Sequence, residues 1–156
     1  MKIFAGSSNP RLVKKIVIAS DHAGFLLKEK VKKYLEGLGF QVSDFGCHSD
    51  SSCDYPDFAK PVSQSISDGE FDRGILICGT GVGMSIVANR FKNVRAVLCY
   101  TIKQAKLSRI HNDANVLCLG GWLISPQKVL KIIDVFLKTK FEDILRRRRR
   151  IQKIDN

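Results

Sequence analysis

Residues Gly74 to Phe91 read GILICGTGVGMSIVANRF, and this stretch decides the fold class. Its first five residues, Gly74-Ile75-Leu76-Ile77-Cys78, are a continuous run of the kind found in strands covered on both faces. Gly79-Thr80-Gly81-Val82-Gly83 interrupts the run, and Met84 to Phe91 continues as a helix. A strand buried on both faces needs helices on both sides of its sheet.

Working outward, the same alternation recurs. Lys15 to Ser20 is a short β-branched run ending at Asp21-His22-Ala23-Gly24. Leu26, Leu27, Val31, Tyr34, Leu35 and Leu38 then repeat at helical spacing until Gly37 and Gly39 stop the helix. Phe40 to Phe45 is a second strand, Gly46 to Pro56 a long polar loop, and Phe58, Val62 and Ile66 mark another helix. Beyond Phe91 follow a strand over Val94 to Tyr100, a helix over Ile102 to Ile110 and a strand over Asn115 to Leu119. Val129, Leu130, Ile133, Phe136 and Leu137 stripe a fifth helix, and a last basic helix closes the chain. Helices between strands imply βαβ crossovers and a parallel sheet. The expected fold is α/β: a single doubly wound, Rossmann-like, three-layer α/β/α domain with about five parallel strands and a basic C-terminal helix. The domain is expected over 15–156, with 1–14 as an N-terminal extension.

Composition agrees. The 156 residues are 44% hydrophobic and 26% charged, as in an ordinary globular domain. A chain of this size buries roughly 70% of its unfolded surface and needs no disulfide or metal staple. No apolar run approaches the ~18 residues of a membrane span, and Met1 to Pro10 lacks the apolar core of a secretory signal. Cys47, Cys53, Cys78, Cys99 and Cys118 are odd in number, and the last three sit in apolar runs. Free thiols in a reducing, cytoplasmic location are the expectation.

The formal charge of +11 is unevenly placed. Lys128 to Asn156 holds ten basic and four acidic residues, net +6, dominated by the run Arg146 to Arg150. Such a tail suits nucleic acid, anionic lipid or a small phosphorylated ligand, or it is simply a solvated helix face.

In an open parallel sheet, ligands bind outside the carboxyl ends of the strands. That rule selects Asp21-His22, Gly46 to Pro56, Gly79 to Gly83, the segment after Tyr100, and Gly120-Gly121. Glycines at the strand-to-helix turn after Cys78 let backbone N–H groups converge on an anion, and the same positive field favours a nearby thiolate. Cys78 is thus a candidate base or nucleophile, against the plainer reading of a buried Cys at a tight turn. The spacing matches neither the dinucleotide fingerprint nor a P-loop. Asp21-His22 and His111 fit proton transfer or phosphate binding, with capping roles equally open. Cys47-His48 and Cys53 lack a second pair to complete a zinc site, so no metal is expected. Trp122, the only tryptophan, is expected to plug a core or an interface edge. Arg146 and Arg150 are spaced for one helix face, where they form a candidate phosphate clamp.

Taken in order, Asp21-His22-Ala23-Gly24, Asp54-Tyr55-Pro56-Asp57, GILICGTGVGMSIVANRF and LSRIHNDANVLCLG (Leu107 to Gly120) closely resemble the type B ribose-5-phosphate isomerases. Their family also holds the galactose-6-phosphate isomerase subunits. The resemblance covers about residues 14 to 154. It implies that Cys78 moves a proton between C1 and C2, and that Gly79, Thr80, Gly81, Val82, Gly83 and Ser85 hold the enediolate oxygen. It further implies that His111 opens the furanose ring and Asn112 contacts the sugar, both reaching into a partner subunit's site. Asp21 and His22 would bind the sugar or its phosphate end, Tyr55 would line the pocket, and Arg146 and Arg150 would grip the phosphate.

Two departures stand out: Asp143-Ile144-Leu145-Arg146-Arg147 replaces a frequent Gly-Gly-Arg-His, and Trp122 stands where an arginine is frequent. The implied reaction interconverts D-ribose 5-phosphate and D-ribulose 5-phosphate, in the non-oxidative pentose phosphate branch. It calls for no cofactor, and for a homodimer or a tetramer. The rivals are isomerisation of galactose 6-phosphate or allose 6-phosphate and, remotely, a nucleic-acid-binding protein. The last is disfavoured because aromatic and basic residues do not interleave on any strand.

Overall fold

The computed structural model describes residues 13–154, so nearly all of the expected N-terminal extension lies outside the described residues. Five strands, β1 (Lys15–Ser20), β2 (Gln41–Asp44), β3 (Arg73–Cys78), β4 (Ala96–Leu98) and β5 (Val116–Gly120), form one sheet. Its order is β2-β1-β3-β5-β4, with every neighbouring pair parallel. Between and after them run α1 (Phe25–Gly37), α2 (Tyr55–Ser67), α3 (Val82–Ala88), α4 (Ile102–Asn112), α5 (Pro126–Lys138) and the basic α6 (Leu145–Gln152). Among the described residues, no helix is long and apolar enough to cross a membrane.

Alternation along the strands sorts the core into two halves. Ile16, Ile18, Ile75, Ile77, Leu117 and Leu119 pack with Val31, Leu35, Ala105, Ile133 and Phe136 of α1, α4 and α5. Val17, Ala19, Leu76, Cys78, Val116 and Cys118 pack with Ala59, Val62, Met84 and Ala88 of α2 and α3. This is the three-layer, doubly wound domain expected from the sequence. Some boundaries move: α3 starts at Val82 and ends at Ala88, ahead of the expected Met84 to Phe91. The expected strand over Val94 to Tyr100 narrows to Ala96–Leu98. Trp122 does not plug the core, since it is 71% exposed.

Two features of this sheet position the site. From β1 the chain steps outward to β2, whereas β3 lies on the other side of β1, with β5 and β4 beyond it. The topological switch point is therefore the crevice between β1 and β3 at their carboxyl ends. On the β2 side, the ammonium of the fully buried Lys28 lies 2.5 Å from Asp44 Oδ2, and Gly46 N–H donates to Asp44 Oδ1 at 3.0 Å. Burial pushes the Asp44 carboxyl up, but Lys28, the Gly46 amide and Lys32 together hold it below the usual carboxylate range. This buried ion pair ties α1 to the start of the long polar loop.

Candidate active site

The first half of the site is the carboxyl end of β3. Cys78 is 5% exposed, and its Sγ accepts a hydrogen bond from Gly81 N–H at 3.0 Å. Gly81 has φ 80°, a left-handed backbone that favours glycine. A Cβ there would also meet the Leu98 side chain at 2.6 Å and the Leu119 carbonyl carbon at 2.9 Å. The turn that aims this amide at sulfur thus needs Gly81 on both grounds. The Thr80 carbonyl accepts from the Tyr100 hydroxyl at 3.0 Å, and Thr80 Oγ1 accepts from Val82 N–H at 3.3 Å. Ser85 sits one turn into α3 and donates its hydroxyl to the Val82 carbonyl at 2.8 Å. Cys99 and Cys118, both buried, have thiols pushed up by burial, to about 12 for Cys99, and so stay protonated. Neither has an amide donor like that of Cys78 among the described contacts.

The second half comes from β1 and the polar loop. Asp21 N–H donates to the Ile77 carbonyl at 3.2 Å, which joins the end of β1 to β3 beside Cys78. Asp21 Oδ1 accepts from Gly24 N–H at 3.0 Å, capping the 3-10 turn His22–Gly24. The half-buried His22 places its Nδ1 3.2 Å from both the N–H and the carbonyl oxygen of Cys53, which ties the ring to the polar loop. The loop is pinned at its start, where Ser20 N–H donates to the Gly46 carbonyl at 2.6 Å and Cys47 N–H to the Ser20 carbonyl at 2.7 Å. At its end Tyr55 opens α2 and lays its ring against Gly83, where a Cβ would come within 2.7 Å of ring carbons. Trp122 meets the other side of the glycine loop: its N–H donates to the Gly79 carbonyl at 3.0 Å, and its ring lies where a Gly79 Cβ would go.

Asp21, His22, Tyr55 and Cys78 through Ser85 are therefore brought together at the switch point. His111, Asn112, Arg146 and Arg150 are not. His111 and Asn112 end α4, which leads into the amino end of β5, where Asn115 accepts from Gly74 N–H at 2.9 Å. Gly74, one residue from the amino end of β3, and Cys78, at its carboxyl end, are about 13 Å apart at a strand's usual rise. Arg146 and Arg150 are exposed on α6, which packs against that same end of α4.

Several residues at that far end were passed over in the sequence reading. Arg109, 3% exposed, donates to Asp113 Oδ1 at 2.7 Å, to the Ala114 carbonyl at 2.6 Å and to the Thr139 carbonyl at 3.3 Å. Arg95 Nε donates to the carbonyls of Asn112 and Asp113, each at 3.0 Å, and its Nη2 to Asp113 Oδ2 at 3.1 Å. Asp113 itself takes a left-handed φ of 46° and ends α4. The adjacency of Arg109 and Asp113 at helical spacing was the available signal. At the switch point, Tyr100 was missed as an orienter of the Thr80 carbonyl.

The arrangement couples a buried thiol with an amide donor on its sulfur to a carboxylate and an imidazole across the crevice. Such a set can move a proton next to a carbonyl and hold a polar ligand.

The chain is similar to known proteins along most of its length. A family model described as ribose/galactose isomerase matches residues 16–154. The ribose-5-phosphate isomerase B of Escherichia coli (strain K12) is 44% identical over 130 residues, covering 83% of this chain and 87% of that protein. A crystal structure of a ribose 5-phosphate isomerase from Thermotoga maritima superposes with a TM-score of 0.88 at 56% identity, covering 91% of this chain and 97% of that one. The Mycoplasma genitalium ribose-5-phosphate isomerase B with bound ribulose-5-phosphate gives a TM-score of 0.86 at 45% identity, covering 90% and 93%. The chain belongs to the ribose/galactose isomerase family and is an aldose–ketose isomerase acting on sugar phosphates.

Proposed function

We propose that this isomerase interconverts D-ribose 5-phosphate and D-ribulose 5-phosphate. The observation that carries the reading is the Cys78 sulfur under the Gly81 amide at the β1/β3 switch point. Its relatives named for this reaction, and the ribulose-5-phosphate held by the Mycoplasma genitalium protein, supply the substrate.

In this mechanism His111 donates a proton to the ring oxygen while the anomeric hydroxyl loses its own, and the open-chain aldehyde forms. The Cys78 thiolate then removes the C2 proton, and the C2–H electron pair becomes the C1–C2 double bond of an enediolate. N–H groups of the Gly79 to Gly83 loop stabilise the charge that develops on O1, and Thr80 and Ser85 border them. The proton returns to C1 as the O2 hydroxyl proton moves to O1, giving the ketose. Asp21 and His22 orient the sugar, with Tyr55 along the pocket wall. Arg146 and Arg150 pair with the phosphate.

His111 lies at the opposite end of the sheet from its own Cys78, so this chemistry requires two chains. We infer a homodimer in which one subunit supplies Cys78, Asp21, His22 and Tyr55. The other supplies His111 and Asn112, with α6 and its arginines carried alongside. Val82, Ile86, Trp122 and Leu123 leave apolar surface exposed beside the glycine loop, as an interface there needs. A tetramer built from such dimers uses the same site.

Turnover on ribose 5-phosphate, with allose 6-phosphate and galactose 6-phosphate alongside, tests the substrate. The expected result is pentose turnover well above either hexose. Activity confined to a six-carbon sugar would move the substrate and keep the mechanism.

A further inference from the structure

Five consecutive arginines, Arg146 to Arg150, begin one residue into α6, and they do not share one environment. Arg146, Arg148, Arg149 and Arg150 are exposed, whereas Arg147 is 8% exposed. Arg148 is paired with Asp143. Arg147 turns inward, forms an ion pair with Glu142, and donates from Nη1 to the Ile110 carbonyl at 3.1 Å. Glu142 N–H donates to that same carbonyl at 3.2 Å.

Ile110 is the residue before His111. The Ile110 carbonyl and the His111 N–H belong to one planar peptide unit, so an anchor on that oxygen orients the His111 backbone. The carbonyls of a helix's last turn have no partner within the helix and must find one elsewhere. At this helix end arginines supply them. Arg147 takes Ile110 and Arg95 takes Asn112, while just past the helix Arg95 also takes Asp113 and Arg109 takes Ala114. Of the three, Arg147 alone comes from the helix that bears Arg146 and Arg150.

We propose that Arg147 is a positioning residue which, by holding the Ile110 carbonyl, fixes His111 relative to the phosphate-facing arginines of α6. This rests on the reading of His111 as the ring-opening residue. Residues three and four apart share a helix face, so Arg146 and Arg150 point together while Arg147 is rotated roughly 100° from Arg146. One helix thus presents Arg146 and Arg150 on one outward face and ties itself with Arg147 to the turn that carries the acid/base. The distance between the phosphate end and the ring oxygen of the substrate is then constrained by the buried Arg147 contact to Ile110, with the Glu142 N–H on the same carbonyl.

The test compares ring opening with proton transfer in the same variants. Ribulose 5-phosphate cannot close a furanose ring, because its O5 is phosphorylated. Exchange of its C1 hydrogen in D2O, followed by NMR, therefore reports the Cys78 step without ring opening. Ribose 5-phosphate turnover requires both. Arg147→Ala is expected to lower kcat on ribose 5-phosphate by about tenfold with KM nearly constant, while C1 exchange stays within about twofold of the parent. Arg147→Lys, which keeps one donor and the charge, is expected to recover most of the loss. Should Arg147→Ala not fold, Arg147→Met, closer in volume, is measured in its place.

His111→Asn runs in parallel. If it is selective for the ring-opening direction and the Arg147 variant is silent, or loses exchange and turnover in proportion, the positioning role is overturned by itself. If His111→Asn loses both rates equally, the ring-opening reading falls and takes the positioning role with it.

Discussion

The N–H of Gly81 points at the sulfur of Cys78 from 3.0 Å, across a turn that only glycine fills without strain. Base and amide donor are thus placed by one short segment, three residues apart. Two consequences separate chemistry from binding. Cys78→Ala removes the base and leaves the loop, so C1 hydrogen exchange from ribulose 5-phosphate should fall by at least ~10³-fold. Calorimetric binding of ribulose 5-phosphate should persist within about threefold, because the phosphate contacts are untouched. A Cys78→Ala protein that still exchanges C1 hydrogen would place the base elsewhere.

Gly83 and Tyr55 make a second sharp contact. A methyl on Gly83 would sit 2.7 Å from the Tyr55 ring, well inside van der Waals contact, so the ring must swing away. Gly83→Ala should raise KM for ribose 5-phosphate by about tenfold and leave kcat less affected, since the shift falls on the pocket wall and not on Cys78. Tyr55→Ala makes room for the methyl. The double variant Tyr55→Ala/Gly83→Ala should therefore be no worse than Tyr55→Ala alone. Additive losses would show that the two residues act independently.

The contrast between these two contacts and the far end of the sheet explains what could be read in the sequence. Continuous apolar runs mark β1, β3 and β5, because burial on both faces leaves its trace in the residues themselves. The edge strands β2 and β4 are only partly buried and are read from the alternation of elements around them. Cys78, its glycines and Asp21-His22 are legible for a related reason: ligands gather where strands end, and both segments end strands. Strand order is a tertiary property, so periodicity does not disclose that β5 lies between β3 and β4. Nor can composition tell Arg147 from its four identical neighbours, since only the phase of α6 against α4 turns it inward. Trp122 shows the converse: a large apolar residue suggests a core, yet here its ring lies over Gly79 with most of its surface open. Exposed apolar surface of this kind has meaning only once a second chain is considered.

The Lys28–Asp44 pair makes stability depend on acid in a defined direction. The Asp44 carboxyl is held below its ordinary value by Lys28, Gly46 N–H and Lys32, against the upward push of burial. A carboxyl whose value is depressed on folding stabilises the fold above its unfolded value of about 3.9, and that contribution is lost as pH falls through the folded value. The affected window therefore lies below about pH 4. Asp44→Asn removes this dependence and leaves the fully buried Lys28 with Glu29, 2.9 Å away and partly exposed, as its remaining anionic partner. Urea unfolding at pH 7 should show a loss of about 3 kcal/mol. The gap between variant and parent should narrow toward pH 3. A constant gap across that range would assign the loss to packing instead of charge.

Because Cys78 ends β3 whereas His111 ends α4 beside the amino ends of β3 and β5, mixing defective subunits offers the most direct test of a shared site. Cys78→Ala and His111→Ala each inactivate both sites of their own homodimer in the two-chain arrangement. When the two proteins are unfolded together and refolded in equal amounts, about half of the dimers are mixed. In a mixed dimer, one site combines both defects. The other joins an intact Cys78 from one chain to an intact His111 from its partner. Activity should therefore rise from near zero to about a quarter of the parent value, and the recovered sites should show the parent KM. If both residues served the same site within one chain, every site in the mixture would carry one defect, and mixing would restore nothing.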